Sequence, residues 1–236
     1  MRHYLVVDDN RAFAENLGEI VGDLGDEVSV AESGEQALAL ASKRHFDAIV
    51  TDMRMPFMGG AELVHHVRRI DPGVAAIVVT AYVRDNDLDA ARREGLLATL
   101  PKPVPIGRLL ELLAVARRDG LCVVVEDDVA LCDNLCEALR GRGFAAVTAA
   151  SVLETERLGP VKPFCALVDL RIPGGPAGEA MRRVPEKFPG IPMVVVTGYH
   201  DQPPLPHVAF FSKPFDTGAL LDAVERQYQA RPPTDA

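Results

Sequence analysis

The sequence predicts an α/β protein made of two similar domains in tandem, each a parallel five-stranded sheet covered by helices. Three observations carry that expectation. The 236 residues are 48% hydrophobic, enough for one large core or two ordinary ones. Short apolar runs alternate with helical stretches, which implies right-handed strand–helix–strand crossovers and parallel neighbours. The chain also repeats itself. Val6-Val7-Asp8-Asp9 returns as Val124-Val125-Glu126-Asp127, Ile49-Val50-Thr51-Asp52 as Ala166-Leu167-Val168-Asp169, Val78-Val79-Thr80 as Val195-Val196-Thr197, and Lys102-Pro103 as Lys213-Pro214. The expected domains are 1–118 and 119–230, with a tail at 231–236.

The first copy reads in order. A strand at about 4 to 8 ends in two acids, and a helix follows with Phe13, Leu17, Ile20, Val21 and Leu24 on one face. A second strand spans 27 to 31. Ser33 with Gln36 then makes a capping box for a helix over 34 to 43, and Ser151 with Glu154 repeats it. Next come a strand (47 to 51), a helix (60 to 70), a strand (74 to 79), a helix (84 to 94), a strand (97 to 100) and a helix (105 to 117). The second copy follows the same order but is shorter between Thr197 and Lys213, where Pro203, Pro204 and Pro206 stand. Its fourth helix is expected to be lost or reduced to a turn.

Composition excludes several classes of function. The net charge of -9 is shared almost evenly between the halves, so neither offers the basic surface that nucleic-acid phosphates demand. No apolar run is long enough for a membrane span, and the chain opens directly into a strand, so a cytoplasmic protein is expected. The four cysteines lack metal-binding spacing and read as small buried residues. The six histidines show no phosphoacceptor motif.

The recurring polar residues all fall at the carboxyl ends of strands, where such sheets bind ligands. They are Asp8 and Asp9 after the first strand, Asp52 after the third, Thr80 after the fourth and Lys102 after the fifth. Two carboxylates about 4 Å apart repel by roughly 4 kcal/mol at an effective dielectric of 20, and each copy gathers three. A hard, oxygen-seeking dication relieves that repulsion. Asp128 aligns with Asn10 and is expected to start the next helix.

On these motifs, each half resembles a receiver domain of the two-component response regulators, over nearly its full length. The resemblance implies a flavodoxin-like fold of strand order 2-1-3-4-5 and a requirement for Mg²⁺. It implies phosphoryl transfer from a histidine kinase or histidine phosphotransfer protein onto Asp52, with Asp169 as the second candidate. Thr80 and Thr197 become the switch hydroxyls, Lys102 and Lys213 the phosphate-contacting lysines, and both Lys-Pro bonds are expected to be cis. The metal ligands implied are Asp8, Asp9, Asp52 and the backbone carbonyl of Arg54, then Glu126, Asp127, Asp169 and the backbone carbonyl of Arg171.

The copies depart from the family in opposite ways. The family places an aromatic ring three residues before the lysine, where copy one has Thr99 and copy two Phe210. Arg54 with Tyr82, and Arg171 with Tyr199, form candidate cation–π pairs at the pocket mouth. The resulting expectation is a response regulator without a separate output domain, not an enzyme beyond Mg²⁺-dependent self-phosphorylation and dephosphorylation. It would act on a downstream protein target, or as a phosphate sink, with no nucleic acid or membrane partner. The alternative is the receiver portion of a longer hybrid kinase or effector enzyme, with copy two a phosphorylation-silent binding module. An aspartate-phosphatase on the same fold would need Asp-x-Asp, which Asp8-Asp9-Asn10 does not supply.

Overall fold

A computed structural model describes residues 1–81, 95–198 and 209–231. It divides into two compact units, one of Met1–Asp119 with the short stretch Gly143–Ala145, the other of Gly120–Arg142 and Ala146 onward. In the first, β1 (His3–Val7), α1 (Arg11–Gly22), β2 (Glu27–Ala31), α2 (Gly34–Ala41), β3 (Ala48–Asp52), α3 (Gly60–Ile70), β4 (Ala75–Thr80), β5 (Ala98–Pro101) and α4 (Ile106–Val115) follow one another. The second contains β6 (Leu121–Val125), α5 (Val129–Gly141), β7 (Ala145–Ala149), α6 (Val152–Arg157), β8 (Cys165–Asp169), α7 (Glu179–Lys187), β9 (Met193–Thr197), β10 (Ala209–Ser212) and α8 (Thr217–Gln229). The expected helix at 84–94, and the expected reduction of its counterpart between Thr197 and Lys213, fall largely on residues outside those described.

Each unit carries one parallel five-stranded sheet, ordered β2-β1-β3-β4-β5 and β7-β6-β8-β9-β10. The expected order is therefore met twice. Helices cover both faces of β1 and β3, so their apolar runs are continuous rather than alternating: Leu5, Val6, Val7, Ile49 and Val50 are all 1% exposed or less. β2, at the edge, is only partly buried and can carry Glu27 and Ser29. Cys122 and Cys165 are register partners on β6 and β8, both fully buried, in keeping with small core residues.

The helix starts follow from local chemistry. Asn10 accepts a hydrogen bond from the Phe13 amide and Asp128 from the Leu131 amide, so the third acid after β6 serves as a helix cap. Ser33 and Ser151 accept from the Gln36 and Glu154 amides. In return the Gln36 and Glu154 side-chain oxygens accept from the Glu32 and Ala150 amides, one residue before the cap. The buried face of α1 differs from expectation. Ala14, Leu17, Gly18 and Val21 face the sheet, whereas Leu24 lies beyond the helix end and is 48% exposed. Gly18 must be small, because a Cβ there would stand 2.9 Å from Val30 Cγ2.

At the amino-terminal edge of the first sheet, Asp71 caps α3 and is 1% exposed. Arg118 pairs with both its carboxylate oxygens and donates to the Phe46 carbonyl at 2.8 Å, while His45 Nδ1 stands 3.1 Å from Asp71 Oδ2. Burial alone would raise the Asp71 pKa, but Arg118 and His45 outweigh it and hold the carboxyl below its ordinary value. A carboxylate depressed in the folded state stabilises above its unfolded pKa of about 3.9 and loses that contribution as pH falls through the folded value. Arg118→Met leaves a buried carboxylate without its guanidinium. Urea unfolding at pH 7 is expected to show a loss of about 2–4 kcal/mol. That deficit should shrink as pH drops below about 3.9.

Candidate functional site

The carboxyl ends of the strands bring the sequence-predicted residues together in each unit. After β1, Asp8 is 2% exposed and accepts the Asn10 amide at 2.9 Å, while Asp9 is exposed. Asp52 closes β3 and Thr80 closes β4; the hydroxyl-bearing Thr80 is buried. The Lys102 amide donates to the Thr80 carbonyl at 2.8 Å, which fastens the lysine to the end of β4. The same bond links Lys213 to Thr197 in the second unit, at 2.8 Å. Both Lys102-Pro103 and Lys213-Pro214 are cis. A Cβ on Gly60 would collide with the Asp52 carbonyl, so glycine is what allows α3 to start directly behind the acid.

Asp8, Asp9 and Asp52 each place a carboxylate oxygen within 4.8 Å of the others, and so do Glu126, Asp127 and Asp169. A lysine ammonium is seated in each cluster. Lys102 Nζ lies 2.8 Å from Asp8 Oδ2 and 3.2 Å from Asp52 Oδ1. Lys213 Nζ lies 2.7 Å from Asp169 Oδ2, and 2.8 Å and 3.1 Å from the two oxygens of Glu126. Three carboxylates against one ammonium leave two negative charges in each pocket. An oxygen-lined cluster carrying that charge fits a hard dication, and the carboxylates present are the ligand type Mg²⁺ uses.

The protonation tendencies agree with this arrangement. Burial pushes the Asp52 carboxyl above its ordinary value; Lys102 pulls it back and Asp8 adds to the rise. Burial likewise raises Glu126, against the pull of Lys213. For both lysines burial disfavours the charge, but the paired acids outweigh it and lift the ammonium pKa.

Some features of the site were not legible in the sequence. The acid-bridging position of both lysines is one, because spacing shows which strand end a residue occupies but not which partner its long stem reaches. Phe13 is another: its ring centroid lies 4.9 Å from Lys102 Nζ, although the helical pattern assigned it to the core face. Thr99 and Phe210 are both partly buried in strands paired to β4 and β9. Arg54 and Arg171 are exposed in the loops after β3 and β8, and the Arg171 amide donates to Asp169 Oδ1 at 3.0 Å. Tyr82 and Tyr199, their suggested partners, lie outside the described residues. In the loop after Asp52, Phe57 takes a left-handed φ of 66° with its ring 96% exposed, where the second copy has Gly174 at φ 97°.

Known proteins are similar to this chain. The model of the response regulator receiver domain matches residues 4–114. A response regulator receiver protein of Anaeromyxobacter sp. (strain Fw109-5) is 70% identical over 231 residues, covering 98% of this chain and 97% of that protein. The transcriptional regulatory protein GlrR of Escherichia coli (strain K12) is 33% identical over 102 residues, 43% of this chain and 23% of that protein. Among solved structures, the Vibrio cholerae chemotaxis protein CheY4 aligns at 31% identity with a TM-score of 0.46, covering 48% of this chain and 97% of that one.

Replacing Lys102 by Met removes the positive charge that Asp8 and Asp52 share. Without divalent cations, chemical unfolding of the first unit is expected to show a loss of about 2 kcal/mol. Millimolar MgCl₂ should restore most of it, and an equal deficit with and without Mg²⁺ would contradict the charge tally.

Proposed function

The chain belongs to the response regulator receiver family, and we propose that it is a phosphoacceptor signalling protein. In this reading a histidine kinase or histidine phosphotransfer protein supplies a phosphoryl group to Asp52, with Asp169 the equivalent acceptor in the second unit. The signal is then passed by the receiver units themselves, through contacts with a downstream protein or as a phosphate sink. The observation that carries the reading is the acid cluster with its bridging lysine at the strand ends, present in both units. Among the described residues no helix is long and apolar enough to cross a membrane.

The chemistry follows from the residues. An Asp52 carboxylate oxygen attacks the phosphorus in line, its bond forming as the donor's nitrogen–phosphorus bond breaks and the electron pair returns to the imidazole. Asp8, Asp9, Asp52 and the Arg54 backbone carbonyl would hold Mg²⁺, which supplies neutralisation of charge on the phosphoryl oxygens when bound. Asp8 Oδ2, 2.8 Å from Lys102 Nζ, keeps that ammonium beside the acceptor. Once Asp52 carries phosphate, Lys102 gains an acceptor more negative than the carboxylate it contacts at 3.2 Å. Thr80 stands at the end of the neighbouring strand, where its hydroxyl is suited to donating to the new phosphate.

Thr99 bears on the output. Where the family has a ring that follows the threonine inward, copy one has a small β-branched residue, so phosphorylation of Asp52 should be reported by a movement other than an aromatic flip. Phe210 keeps that option in copy two. Intact mass spectrometry after treatment with acetyl phosphate and Mg²⁺ tests acceptor identity. Wild type is expected to gain phosphate, Asp52→Ala to lose one addition, and Asp169→Ala to lose a second where copy two is live. Full phosphorylation of Asp52→Ala would overturn the assignment, and loss of signal without Mg²⁺ is expected for wild type.

A further inference from the structure

At the opposite end of the second sheet from Asp169 lies a cavity of about 570 Å³ that no phosphoacceptor residue lines. It opens beside the starts of β8 and β9 and the end of α8, with Phe164, Phe188 and Ile191 in its wall. Lys162, Lys187 and Arg231 line it as well, and among the described residues no carboxylate does. In a chain of net charge -9, a concavity with cations alone is unusual.

In the first unit the same place carries different side chains. Backbone bonds define the equivalence: the Asp47 amide donates to His3 and the Phe164 amide to Leu121, while the Asp71 amide donates to Val67 and the Phe188 amide to Val184. In the first unit both positions are carboxylates already committed. Asp47 Oδ2 accepts the His3 amide at 2.7 Å, and Asp71 is paired with Arg118. The second unit has phenyl rings at both positions, yet still follows its last helix with an arginine.

The wall chemistry selects a flat ligand. Phe164 of the wall and Tyr228, which supports it without lining the cavity, meet edge to face with centroids 5.2 Å apart. The Arg231 guanidinium lies 3.8 Å from the Tyr228 centroid and 5.1 Å from that of Phe164, and its Nε donates to the Tyr228 carbonyl. Lys187 Nζ donates to the Glu156 carbonyl at 2.7 Å, which sets its ammonium at the rim without neutralising it. Ordinary small-molecule pockets enclose roughly 300–1,000 Å³ and combine apolar walls with a few placed polar groups. We propose that this cavity is a binding site for a planar aromatic anion of about mononucleotide size, its ring against Phe188 and Phe164 and its anionic group toward Lys162, Lys187 and Arg231.

Fluorescence titration of the full chain with 8-anilinonaphthalene-1-sulfonate tests this, with 1-naphthylmethylamine as a cation bearing the same ring system. One saturable site is expected for the sulfonate. Its dissociation constant should rise about tenfold or more in Lys187→Glu and in Phe188→Asp, the latter copying the first unit. Lys162→Glu lies on the exposed rim, where folding does not depend on it, and should also weaken binding. Equal affinity for the cationic probe, or unchanged sulfonate binding in all three variants, would overturn the proposal. So would absence of saturable binding to wild type.

Discussion

Charge confined at the end of a parallel sheet is the constraint on which the rest of this molecule depends. Adjacent parallel strands deliver their last residues to one edge, so the acids after β1 and β3 cannot avoid each other. The protein does not disperse them; it adds a lysine from the end of β5 or β10 and stops short of neutrality. Under the proposed function, that deficit is what would draw first a dication and then a phosphoryl group, whose transfer needs positioned charge more than covalent assistance. Tight backbone bonds from Lys102 and Lys213 to the threonine carbonyls keep that arrangement from relaxing.

Much of this was legible because the repeat presents the same evidence twice. Val6-Val7-Asp8-Asp9 and Val124-Val125-Glu126-Asp127 mark interior strands through unbroken apolar runs, and the acids mark the functional edge. The strand order came from family resemblance, and the structure agrees. Finer features were hidden for physical reasons. Apolar periodicity weighs large side chains, so it favoured Leu24 over Ala14 and Gly18, although helix–sheet contact at α1 requires small ones. Phe13 lies in the first turn of α1, close enough to the strand ends to reach Lys102, and its hydrophobicity alone pointed inward. Nothing in spacing distinguishes a lysine that waits for phosphate from one already bound to two acids.

The duplicated frame also shows where constraint is weak. The sheet order and the site geometry recur, whereas the far edge does not. There the first unit pairs Asp71 with Arg118, and the second has Phe188 in the wall of a cavity. Both solutions satisfy the helix cap, since the Asp71 and Phe188 amides make equivalent bonds to Val67 and Val184. The backbone therefore tolerates either chemistry, and the side chain is free to acquire another use.

In the loop after Asp52 the two copies differ in side chain but share a left-handed φ. Because Phe57 and Gly174 hold similar left-handed backbones, the loop's shape is imposed by its surroundings, and a phenylalanine endures it at a cost of roughly 1 kcal/mol. Such a position is an interchangeable fitting: the protruding group differs between the copies while the sign of φ is kept. A visiting protein would meet a hydrophobic knob on one copy and smooth main chain on the other, so under the proposed function Asp52 and Asp169 need not answer to the same donor.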